Sequence, residues 1–116
     1  MQPTKGTGRV LKWNAAPSQD PDTRTSRITE DGLEDFLQWM WQYERVDCDS
    51  LHAAILADAY GIMWRPLRWE PKWFDHFFQL GIKYRPETYT VSNREMLAAR
   101  AMQLMSVVEG LNEVME

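Results

Sequence analysis

The sequence predicts an all-α protein, a small bundle of about four helices preceded by an extended N-terminal arm. Apolar residues recur at helical spacing in four segments, and residues that cap or terminate helices border these segments. The first 27 residues contain too few apolar side chains for a packed core. A chain of 116 residues is expected to form one core rather than two. We therefore expect an extended basic arm over residues 1–27 and a single helical domain over residues 28–116.

The predicted arm is rich in glycine, proline, serine and threonine, and its five basic residues outnumber two acidic ones. From Arg9 to Trp13 it alternates basic and apolar side chains, as a strand lying extended on a partner would. A tail with one exposed tryptophan is the alternative. The residues of the arm predicted to contact a partner are Arg9, Leu11, Lys12 and Trp13.

Two short helices are predicted after the arm, and we expect them to form an αα-hairpin. Thr29 caps the first helix, and acidic residues follow it in the first turn. The second helix begins after Asp49 or Ser50 and ends at Gly61. The apolar stripe of the first helix consists of Leu33, Phe36, Leu37 and Met40.

Two prolines prevent a continuous helix beyond this point, so the segment from Met63 to Glu70 is predicted to be an irregular connector. Pro71 suits the first turn of a third helix, which Gly81 is expected to end. Ser92 and Glu95 have the spacing of a capping box in front of the last helix.

The last helix carries apolar residues at alternating spacings of three and four, which is typical of a heptad stripe. Such a helix is either the centre of a small bundle or a helix shared with a second subunit. The residues predicted for self-association are Leu97, Leu104, Val108 and Leu111.

The segment from Trp64 to Trp73 contains three tryptophans, three cations and two prolines. Tryptophan and arginine are enriched at binding hot spots, because each covers a large area and retains a polar or charged group. The alternative is that the tryptophans close the core of a small domain. The predicted partner contacts in this segment are Trp64, Arg65, Arg68, Trp69, Lys72 and Trp73.

These features favour a protein-binding or assembly function over catalysis. His52 and His76 belong to no metal-binding spacing, and the chain has neither a nucleophile elbow nor a phosphate-binding glycine loop. We expect no enzymatic activity, no metal and no cofactor. A short chain with six tryptophans and no recognisable site favours a bacteriophage virion or assembly component, or an inhibitor of a host machine. The alternative is a nucleic-acid-binding protein that uses residues 64–73 and the basic arm.

The composition also indicates the cellular location of the protein and the partners it can attract. Cys48 is the single cysteine, so no internal disulfide forms, and no apolar run approaches the length of a membrane span. A cytoplasmic (intracellular) or virion location is expected, with no membrane contact. The net charge of −4 argues against broad attraction to nucleic acid or anionic lipid.

Overall fold

The computed structural model describes residues 5–27, 32–85 and 87–102, and its centre is a parallel sheet in the order β2-β1-β3-β4. In the described residues, strands and helices alternate along the chain and form an α/β fold. The prediction of an all-α helical bundle is therefore wrong. The strands are β1 Lys5–Leu11, β2 Thr23–Thr25, β3 Tyr43–Cys48 and β4 Met63–Pro66. The helices are α1 Leu33–Trp41, α2 Leu51–Ala59, α3 Pro71–Leu80 and α4, which is described over residues 94–102.

Residues 5–27 contribute two strands, β1 and β2, to the sheet and do not form an arm outside it. β1 lies between β2 and β3, where Val10 is opposite Arg24 on one side and Cys48 on the other. The Val10 side chain is fully buried. The extended backbone predicted from Arg9 to Trp13 is present as far as Leu11, where β1 ends, and Trp13 lies in a turn. The strands that pair with it belong to the same chain.

The predicted αα-hairpin is also wrong, because β3 separates α1 from α2 and pairs with β1 and β4. Interior parallel strands are usually continuous apolar runs, whereas β3 carries three charged residues. One of them, Asp47, is nevertheless buried. Its carboxylate accepts hydrogen bonds from Arg65 Nε at 2.9 Å and from the Tyr89 hydroxyl at 2.6 Å. These partners stabilise a charge that would otherwise oppose burial.

The predicted irregular connector begins with β4, one of the two edge strands of the sheet. Trp64 and Thr90 exchange backbone hydrogen bonds of 2.9 and 2.8 Å, in an antiparallel bridge. The segment around Thr90 therefore covers the outer edge of β4, which would otherwise present unpaired backbone groups.

Several predicted helix boundaries are confirmed. α3 begins at Pro71 and is followed by Gly81 at a φ of 70°, and α2 ends shortly before Gly61 at a φ of 72°. The capping box is wrong, because the Ser92 hydroxyl donates to Asp58 in α2. Instead, Asn93 Oδ1 accepts the Met96 amide at 3.2 Å and caps α4. Thr29, the predicted cap of the first helix, lies outside the described residues.

One hydrophobic core joins the sheet and its helices. Trp64 of β4 and Trp73 of α3 are fully buried in it, and their rings stack with centroids 6.0 Å apart. This burial supports the alternative in which these two tryptophans close the core. The core also contains Val10, Phe36, Met40, Tyr43, Val46, Ile62 and Phe77.

Of the residues predicted for self-association, only Leu97 lies in a described part of the chain, where it is half-buried in α4. Leu104, Val108 and Leu111 lie outside the described residues. Within residues 5–27, 32–85 and 87–102, no helix is long and apolar enough to cross a membrane.

Candidate functional site

The carboxyl ends of the parallel strands meet at one edge of the sheet, where a cleft of about 240 Å³ opens. From β1 the chain passes to β2, which lies on one side of β1 in the sheet. From β2 it continues through α1 to β3, which lies on the other side of β1. The connections therefore diverge between β1 and β3, and ligands of open parallel sheets bind at such a point. The polar lining residues are Lys12, Ser26, Asp49, Ser50, His52 and Lys72.

Helix α2 begins at this cleft. Its N-cap residue, Ser50, has extended backbone, and its hydroxyl makes no capping hydrogen bond. The start of a helix presents amide donors and the positive end of the helix dipole, both of which favour an acidic group nearby. His52 lies in the first turn with an exposed side chain. The start of α2 thus offers a ligand amide donors, a hydroxyl and an imidazole.

Asp49 is held firmly in the cleft wall, between β3 and α2. Its backbone amide donates to the Val10 carbonyl at 2.8 Å, and its carbonyl accepts from Lys72 Nζ at 2.9 Å. Carboxylate Oδ2 lies 3.1 Å from Arg68 Nη2. The residue is 3% exposed, yet Oδ1 has no hydrogen-bond partner among the described residues. A buried acceptor without a partner is costly, and the residue that carries this oxygen lines the cleft.

Glu70 links the two lysines of the cleft. Its carboxylate lies 2.6 Å from Lys12 Nζ and 3.3 Å from Lys72 Nζ. The hydrogen bond from Lys12, supported by Lys72, holds the pKa of Glu70 below its ordinary value, so this carboxyl stays ionised at neutral pH. With the Arg68–Asp49 pair, the cleft and its rim carry three cations against two carboxylates. One positive charge is left in surplus.

Four of the ten residues predicted as partner contacts come together at this edge. Lys12, Trp13 and Lys72 line the cleft, and Arg68 pairs with Asp49 in its wall. Trp69, the neighbour of Arg68 in the chain, is 57% exposed.

The remaining predicted contacts lie elsewhere. Trp64 and Trp73 are buried in the core, and Arg65 is bonded to Asp47 in the sheet. Arg9 is exposed on β1, and Leu11 is half-buried at the end of the same strand.

Sequence reasoning did not assign Ser26, Asp49, Ser50 or His52 to a site. Asp49 and Ser50 were recognised only as candidates for capping a helix. The signal that could have found them is a short polar run directly between a strand and a helix. That signal depends on recognising β3 as a strand, which its charged residues conceal. Within the described parts of the chain, no cluster of three or more His, Cys, Asp or Glu residues could hold a metal ion.

Comparison with known proteins gives a similarity over part of the chain. No family model and no solved structure matches the chain. Over 66 residues the chain is 35% identical to the succinoglycan biosynthesis protein ExoV of Rhizobium meliloti (strain 1021). The alignment covers 53% of this chain and 21% of ExoV, so the chain spans about a fifth of the length of that relative. The bacteriophage role expected from the sequence gains no support from these comparisons.

Proposed function

We propose that this chain is a ligand-binding α/β unit acting in glycan biosynthesis, and that its cleft binds a hydroxyl-rich molecule with one acidic group, such as a sugar phosphate. The observation that carries this proposal is the position of the cleft. Lys12, Asp49 and the start of α2 converge outside the carboxyl ends of β1 and β3, where the connections of the sheet diverge.

The groups in the cleft match such a ligand. A single surplus positive charge and the start of α2 attract one acidic group more readily than a highly charged one. The hydroxyl groups of Ser26 and Ser50, which line the cleft, can exchange hydrogen bonds with the hydroxyl groups of a ligand. Trp13 is 66% exposed at the cleft and offers an apolar face to a sugar ring.

The glycan assignment draws on the similarity to ExoV, which by its name acts in the biosynthesis of succinoglycan. The similarity covers only about a fifth of that protein. The proposal therefore concerns binding by this unit and assigns it no catalytic step. The absence of enzymatic activity stays a prediction.

Titration of the full chain with glucose 1-phosphate, followed by amide NMR, tests the proposal. We expect saturable shifts at Ser26 and at residues 50–52, and weaker effects of glucose alone. Replacing one charged partner of a ligand hydrogen bond costs about 1.5–3 kcal/mol, so Lys12→Gln should weaken binding by roughly tenfold or more.

Lys5→Gln is the matched control, because Lys5 is also exposed and also pairs with a carboxylate, that of Asp22, but lies outside the cleft. This variant should bind like the unaltered chain. Equal weakening by Lys5→Gln and Lys12→Gln, or shifts confined to residues outside the cleft, would show that the proposal is wrong.

Protein binding, the function expected from the sequence, is a second proposal with its own supporting observation. Trp69, Phe74 and Phe78 are 57%, 49% and 85% exposed, and the Trp69 and Phe74 rings touch with centroids 5.8 Å apart. Contiguous exposed apolar side chains are typical of interaction surfaces. Nucleic-acid binding also stays a prediction. Its two segments, the basic N-terminal segment and residues 64–73, carry the exposed rings of Trp13 and Trp69.

A further inference from the structure

A second pocket, of about 230 Å³, lies beside Met63, where β4 begins. Because the strands are parallel, this end of β4 is at the edge of the sheet opposite the cleft. The two pockets share no lining residue. The walls of the second pocket come from the segment that covers β4 and from the start of α4. Its polar lining residues are Lys83, Arg85, Thr88, Tyr89, Thr90 and Arg94.

The three cations of this pocket are not balanced by acidic groups. Lys83, Arg85 and Arg94 are exposed, and none of them forms an ion pair within the described part of the chain. The nearby acidic residues Glu87 and Glu95 do not line the pocket. In the cleft, by contrast, the lysines share a carboxylate. Counted by lining residues alone, the second pocket has three cations and no carboxylate, whereas the cleft has two lysines and Asp49. The lining of the second pocket is therefore the more positive of the two.

The position of Arg94 adds to this potential. It lies in the first turn of α4, where the helix dipole is positive and a cation is unfavourable. Asn93 already caps the Met96 amide, so the polar cap is in place but brings no negative charge. Glu95, in the same turn, already brings a negative charge to the helix end, and an anion in the pocket would offset the Arg94 charge.

The wall that carries the hydroxyl groups is anchored to the sheet. Tyr89 donates its hydroxyl to Asp47 and lies with its ring 4.5 Å from the Arg65 guanidinium carbon. The Thr90 backbone is bonded to β4. Thr88 and Thr90, on either side of Tyr89, border the pocket and can donate hydrogen bonds. Donors held in place in this way lose little entropy when a ligand binds.

We propose that this second pocket binds the phosphate group of a small molecule, at a site separate from the cleft. Two guanidinium groups match the geometry of phosphate oxygens, and three cations suit a doubly charged anion better than a carboxylate. The volume is below the roughly 300–1,000 Å³ of sites that enclose a whole drug-sized ligand, so it fits one group of a ligand.

The test is an NMR titration of the full chain with inorganic phosphate at low ionic strength. We expect saturable shifts of the Thr88 and Thr90 amides and of the side-chain Nε–H groups of Arg85 and Arg94. The double variant Arg85→Gln/Arg94→Gln should bind at least roughly tenfold more weakly, since each charged hydrogen bond contributes about 1.5–3 kcal/mol. Acetate, with a single charge, should bind more weakly than phosphate.

The matched control is Arg9→Gln/Arg27→Gln, which removes two exposed arginines that form no ion pair among the described residues and lie outside both pockets. It should leave phosphate binding unchanged. If both double variants weaken phosphate binding equally, or if the shifts do not saturate, phosphate is attracted only by the overall positive charge of the surface. Either result would overturn the proposal. Shifts confined to residues 50–52 would place phosphate in the cleft and overturn it as well, as would equally tight binding of acetate.

Discussion

At the scale of single residues, Asp58 joins three elements through one buried carboxylate. Oδ1 accepts the indole N–H of Trp64 at 3.0 Å and the backbone amide of Ser92 at 2.6 Å, and Oδ2 accepts the Ser92 hydroxyl. Asp58 lies in α2, Trp64 in β4, and Ser92 just before α4. Removing the carboxylate leaves buried donors without acceptors, which costs more than the hydrogen bonds themselves contribute.

Replacing this carboxylate should therefore be strongly destabilising. We expect Asp58→Ala to lower the free energy of unfolding by about 3–5 kcal/mol, because a buried charged network loses its acceptor. Urea denaturation monitored by tryptophan fluorescence measures this change. Asp75→Ala is the control, since Asp75 is exposed on α3 and should change stability by only about 0.5 kcal/mol. Similar effects of the two substitutions would contradict the role assigned to Asp58.

At the scale of elements, two glycines end helices in the same backbone conformation but in different surroundings. Gly61 and Gly81 have φ values of 72° and 70°, in the left-handed region that favours glycine. A Cβ added to Gly81 would meet nothing within 4 Å. A Cβ added to Gly61 would lie 2.5 Å from the Met96 carbonyl carbon and 2.6 Å from the Leu97 amide nitrogen. The backbone of α4 thus packs directly on the end of α2.

Alanine substitutions at these two positions separate backbone strain from packing. Gly81→Ala should lower the free energy of unfolding by about 1–2 kcal/mol, the cost of the left-handed conformation for a residue with a Cβ. Gly61→Ala should lower the free energy of unfolding by the same amount and by about 1–3 kcal/mol more, because its Cβ would displace α4. Urea denaturation of both variants measures the difference. Equal losses would mean that α4 does not pack against Gly61.

At the scale of the whole molecule, strand β1 belongs to the interior of the sheet. β1 pairs with β2 and β3 and contributes Val10 to the core. Its loss would remove the central strand pairing, expose the edge of β3 and open the core. A detachable arm, as expected from composition, would have no such effect.

Deleting residues 1–27 should consequently abolish the cooperative unfolding transition and the near-UV circular dichroism of the buried tryptophans. The point variant Val10→Asp should have the same effect, because it places an unpaired charge in the core. Arg9→Asp is its control, since Arg9 is the adjacent, exposed residue of the same strand. Folding of the deletion variant, or equal stability of the Val10→Asp and Arg9→Asp variants, would contradict the interior position of β1.

The sequence by itself predicted the helices over 51–59 and 71–80 with several of their ends, and a helix that includes 33–41 but not the ends of that helix. Pro71, Gly61 and Gly81 act through their own backbone dihedral angles, and helical periodicity extends over only a few neighbouring residues. Local composition also predicted Lys12, Trp13 and Lys72 as contact residues, and these three residues line the cleft.

Only the tertiary structure decided the class of the fold and which residues line the cleft. Parallel strands pair with segments far away in the chain, so no short window of sequence contains their hydrogen-bond partners. In β3 the usual apolar run is interrupted by Asp47, whose burial depends on Arg65 and Tyr89, 18 and 42 residues further along the chain. Asp49 and Ser50 become site residues only because β3 ends beside β1 at the same edge of the sheet. Non-local pairing and distant charge partners are the physical reason that neither could be predicted from the sequence.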